Sequence, residues 1–126
     1  MKVREFNNGL VVKHRKSAII FENVDGKREQ EERFSYQFTK EEFKEFASYI
    51  KEIANESWAN VIPKKAHSMG SDYDEYYDQR YDDNGNLSIL ENGLLIFASY
   101  WSVDTLYQFN KPKIQSFIYD LEKLIR

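Results

Sequence analysis

The chain has 126 residues and no cysteine; 41% are hydrophobic, 31% charged and 16% aromatic, and the net charge is −3. That length bounds it to a single domain, or two small halves sharing a core. The missing cysteine excludes a disulfide framework, a thiolate nucleophile and a cysteine-ligated zinc. No apolar run approaches the length of a membrane span or follows Met1 as a signal peptide would, so a globular cytoplasmic protein with no membrane partner is expected.

The first third reads as strands. Asn8-Gly9 is a hairpin dipeptide between Val3–Phe6 and Leu10–Lys13, and Ser17–Glu22 makes a third strand. Lys13, His14, Arg15 and Lys16 fall at the turn between the second and third strands. They read either as a solvated tip that protects sheet edges or as a patch gripping phosphate or an acidic surface. Asp25-Gly26 marks the next turn. The returning strand alternates through Phe34, Tyr36 and Phe38, and Lys27–Arg33 before it is nearly all charged, which predicts an exposed arm. The expectation is a four-strand meander running into a helix.

Thr39 and Glu42 form a capping box for that helix, Phe38 and Phe43 its hydrophobic staple, and Phe43, Phe46, Ala47, Ile50, Ile53 and Ala54 its apolar stripe, with an end near Ile53. Residues 57–86 follow, with no counterpart elsewhere. Trp58 to Met69 reads as irregular chain. From Ser71 to Asp82, Tyr73, Tyr76, Tyr77 and Tyr81 recur at helical spacing among acids, which predicts a short third helix capped by Ser71.

Residues 70–86 hold six acids and one base, Arg80, hence −5, and the remainder of a chain at −3 carries +2. Carboxylates mixed with tyrosines suit a basic partner surface, because the acids steer and the rings give contact area at low entropic cost. The candidate partner-binding residues are Asp72, Tyr73, Asp74, Glu75, Tyr76, Tyr77, Asp78, Tyr81, Asp82 and Asp83. The plainer reading packs these tyrosines on the domain and leaves the acids as its wet face.

Residues 87–126 shorten the pattern of residues 1–56. Leu87–Leu90 pairs with Leu94–Trp101 around Asn92-Gly93. The run Leu94-Leu95-Ile96-Phe97 is apolar on both faces, so this strand is expected to be central and covered on both sides. A further strand carries Val103, Thr105, Tyr107 and Phe109 on one face. Asn110 then caps a helix with Pro112 in its first turn and a staple of Phe109 and Ile114. Its stripe, Ile114, Phe117, Ile118, Leu121, Leu124 and Ile125, has the spacing of the first helix, and Tyr107-Gln108-Phe109-Asn110-Lys111 echoes Tyr36-Gln37-Phe38-Thr39-Lys40. Duplication accounts for this, as does the general form of a strand-cap-helix junction. The fold class expected is α+β: antiparallel sheet from two pseudo-repeated meander-plus-helix halves in one domain.

Phe34–Ile53 and Thr105–Leu124, each a strand leading through a polar cap into an amphipathic helix, resemble the repeat of Pur-type and positive-cofactor-four-like single-stranded nucleic-acid-binding proteins. The resemblance implies single strands held on the sheet by Lys13, Arg15, Lys16, Lys27 and Arg28 with Tyr100 or Trp101. The acidic segment departs from that group.

Enzyme signatures fail on spacing. There is no Gly-rich phosphate loop, no His-Glu-x-x-His and no Gly-x-Ser-x-Gly, and His14 and His67 read as surface residues. Asp82-Asp83-Asn84-Gly85-Asn86 is mis-spaced for a calcium loop, and Glu42-Phe43-Lys44 sits on a helix with its acid used in the cap. No catalytic residue, metal or cofactor is therefore assigned. Three functions remain, in order: a non-enzymatic module docking its acidic segment on a basic partner protein, such as a nucleic-acid-binding one, as an inhibitor, nucleic-acid mimic or immunity-type protein does; a single-strand binder; and a metal-assisted enzyme using the acids of 72–83.

Overall fold

A computed structural model describes residues 1–24, 33–65, 86–97 and 105–125. The first three strands, β1 (Lys2–Glu5), β2 (Leu10–Arg15) and β3 (Ala18–Asn23), form the expected antiparallel meander. Gly9 at φ 95° makes the first turn, and its carbonyl accepts from the Val24 amide at 2.9 Å.

The fourth neighbour is a correction. The predicted meander continues from β3 into β4 (Arg33–Gln37), but β3 pairs instead with β7 (Thr105–Phe109), Phe21 standing opposite Tyr107. β4 joins the other half's hairpin, β5 (Asn86–Leu90) and β6 (Gly93–Phe97), giving the order β4-β6-β5 against β1-β2-β3-β7. Both strands that carry the Tyr-Gln-Phe motif thus leave their own half and complete the sheet of the other. The physical reason is that β3, Ala18-Ile19-Ile20-Phe21, is buried on both faces and would be an apolar edge without β7. A lone β5–β6 hairpin would also lack the third strand that gives a small sheet independent stability.

Gly93 permits the β4–β6 approach, because a Cβ there would lie 2.8 Å from the Tyr36 carbonyl oxygen. β6 is central as expected, with Leu94 and Ile96 buried. Leu95 on its other face is only half-buried, so that side is less covered than predicted.

The helices are α1 (Lys40–Ser57) and α2 (Lys111–Leu124). The capping box forms in full: the Glu42 amide donates to Thr39 Oγ1 at 3.1 Å, and the Thr39 amide donates to Glu42 Oε1 at 2.8 Å. Asn110 Oδ1 accepts from the Lys113 amide at 2.9 Å. The α1 stripe is wholly buried and its helix runs one turn past Ile53 to a buried Ser57. The α2 stripe is buried through Leu121, while Leu124 in the last turn is exposed, contrary to its assignment to the stripe. The predicted third helix and most of the predicted arm lie outside the described residues.

The core is aromatic. Phe46 of α1 packs against Phe6, Phe21, Phe38, Phe43 and Phe117, and Phe21 meets Phe109 at 5.1 Å between ring centroids. One cluster therefore joins both helices and the four-stranded sheet. The Tyr36 hydroxyl donates to Asn23 Oδ1 at 2.9 Å and ties the second sheet to the end of β3, and burial pushes that phenol above its ordinary value. Phe46→Ala should destabilise the whole domain by about 3–5 kcal/mol, read from urea denaturation, with the signals of both halves shifting together.

Candidate functional site

Of the residues singled out in the sequence, Asp72–Asp83, Lys27, Arg28, Tyr100 and Trp101 lie outside the described residues. Lys13, Arg15 and Lys16 are placed, and strand alternation divides them. Lys13 lies on the face of β2 away from the helices, where its ammonium pairs with Glu22 at 2.9 Å. Arg15 and Lys16 are exposed at the turn, and the Arg15 guanidinium donates to the Lys16 carbonyl at 3.2 Å.

His14 is a correction. It reads as a surface residue within a basic run, yet it is 5% exposed. Leu10, Val12 and His14 alternate onto the face that carries Ile19 and Phe21, so the imidazole turns inward next to α1. That alternation is visible in the sequence and was the available signal. Lys2 and Glu56 carried none, because they reach the site only through the fold: Lys2 stands opposite His14 in the β1–β2 ladder, and Glu56 comes from the last turn of α1.

Together Met1, Lys2, His14, Arg15, Lys16 and Glu56 line an open cleft of about 230 Å³. Glu56 Oε1 lies 2.9 Å from Lys2 Nζ and 3.6 Å from His14 Nε2. The Lys2 ammonium holds the Glu56 carboxyl below its ordinary value, His14 adding to the effect, and Glu56 in turn raises Lys2. His14 Nδ1 is buried with no hydrogen-bond partner among the described residues.

The turn itself is strained and pinned. Ser17 takes φ 66°, a left-handed conformation uncommon for serine, and its amide donates to the Ser57 carbonyl at 2.9 Å. Ser57 Oγ donates to the Ala18 carbonyl at 3.5 Å, so hairpin tip and helix end hold each other. α1 has no base in its last turn, and Lys2 and His14 bring basic groups to its carbonyl end from the sheet.

Among the described residues no three His, Asp or Glu side chains gather to hold a metal, and Phe6, Tyr49, Trp58 and Tyr119 are partly exposed. No described helix is long and apolar enough to cross a membrane. No family model, curated protein or solved structure matches the chain.

The lowered Glu56 carboxyl links folding to pH. Its stabilisation is fully present above the ordinary carboxyl value of 4.5 and is lost as pH falls through the lower folded value. Glu56→Gln should therefore lower the melting temperature at pH 7 and reduce the drop between pH 7 and pH 3, measured by thermal unfolding across that range.

Proposed function

We propose that the protein is a non-enzymatic binding module whose acidic, tyrosine-rich segment docks on a basic surface of a partner protein, as an inhibitor, nucleic-acid mimic or immunity-type protein does. The observation that carries this reading is the charge distribution: −5 within residues 70–86 against +2 in the remainder of the chain. Such a concentration of carboxylates attracts a basic partner at long range, and the interleaved tyrosines supply contact area once it arrives.

The scaffold supports the reading in two ways. The chain entering the segment is held to α2, with the Ile62 amide donating to Gln115 Oε1 at 3.1 Å and the Lys64 amide to the Gln115 carbonyl at 3.2 Å. The chain leaving it enters β5 at Asn86. Four cations of the described scaffold, Lys2, Arg4, Lys13 and Lys51, are matched by the scaffold carboxylates Glu56, Glu45, Glu22 and Glu122.

Asp74→Asn, Glu75→Gln, Asp78→Asn and Asp82→Asn combined should abolish capture of protein partners in a nuclease-treated pull-down from the native host. The melting temperature should stay near that of the parent chain. Equal capture by the quadruple variant would reject the reading.

A further inference from the structure

The described residues that line the cleft beside His14 are separate in sequence from residues 70–86, on which that reading rests. Its charges do not balance. Lys2, Arg15 and Lys16 bring three positive charges, and Glu56 brings one negative charge, already engaged by Lys2. Arg15 and Lys16 have no ion-pair partner among the described residues, so two cations stand in excess on a chain whose net charge is −3. His14, buried beside them, is one hydrogen bond short at Nδ1.

We propose that this cleft, between the start of β1, the β2–β3 turn and the last turn of α1, is a binding site for a phosphate monoester. Three observations select that chemistry. The excess of two positive charges matches a monoester dianion and exceeds what one carboxylate neutralises. Arg15 presents a planar fork and Lys16 a point charge from adjacent positions of a turn whose tip is pinned to Ser57, a pairing suited to phosphate oxygens. A volume of about 230 Å³, open to solvent, has room for a phosphate group.

Two features oppose an anion here, and both are already engaged. The Glu56 carboxylate is held by Lys2, and the Ser57 carbonyl at the negative end of α1 accepts from the Ser17 amide. His14 lines the cleft with its ring, whose Nε2 lies 3.6 Å from Glu56 Oε1, so its ring protons report on occupancy of the site. The phosphate comes either from a small metabolite-sized ester or from the 5′ end of a nucleic acid strand, and both present the same group.

The test is an NMR titration of the full chain with phenyl phosphate, followed through the ring protons of His14 and His67. Isothermal titration with single-stranded oligothymidine, with and without a 5′-phosphate, accompanies it. Phenyl phosphate at about 10 mM should move the His14 resonances. Arg15→Ala and Lys16→Ala, both exposed and confirmed as folded by their melting temperatures, should each weaken that binding about tenfold. Preference for the 5′-phosphorylated oligonucleotide assigns the site to strand ends, and binding of phenyl phosphate alone assigns it to small esters. Stationary His14 resonances, or phenyl phosphate binding undiminished in both variants, would each overturn the proposal. None of these results bears on capture of a protein through residues 70–86.

Discussion

Two strands of this chain, β3 and β6, direct buried apolar side chains inward and hold further apolar surface on the opposite face, and neither can be left at an exposed sheet edge. The fold meets that constraint by exchange. β7, from the second half of the chain, closes the sheet of the first, and β4, from the first half, closes the sheet of the second. Each exchanged strand then runs through its cap into a helix, so α1 and α2 face a common core in which Phe46 touches both Phe21 and Phe117. Neither half has a complete sheet without the other. The stability of the domain is therefore a property of the pair.

What the sequence disclosed is what local physics decides. The capping box at Thr39, the cap at Asn110, the staples and nearly all of both apolar stripes could be read directly, because a helix start depends on residues within four positions of one another. Strand existence was equally readable from alternation and from the Asn-Gly dipeptides. Strand partnership was not, because nothing in Phe34-Ser35-Tyr36 says whether Ile20 or Leu95 will lie beside it. Neighbouring strands in sequence usually pair, and that general tendency favoured a meander which the apolar character of β3 and β6 overrules.

The candidate cleft shows the same division. Arg15 and Lys16 were visible as part of a basic run, whereas His14 belonged to the inward alternation of β2 and separates from them by a single residue step. Lys2 and Glu56 are 54 positions apart and meet only because β1 lies along the carbonyl end of α1. Much of the scaffold's charge has this structural role. Arg4 bonds Glu45 at 3.0 Å while its guanidinium stacks over Phe6 and Tyr49, and Lys51 joins the two helices through Glu122. Arg15 and Lys16 at the hairpin tip differ from Lys2, Arg4, Lys13 and Lys51 in having no carboxylate partner among the described residues.

Native-state hydrogen exchange tests the exchange of strands most directly, because it reads the opening free energy of each strand separately in the intact protein. If the two halves share one core through β4 and β7, the slowest amides of β3 and of β6 will report the same free energy, equal to that of global unfolding. A β6 that opens at a clearly lower free energy while β3 stays protected would contradict the account, since it would mean that the two halves unfold independently.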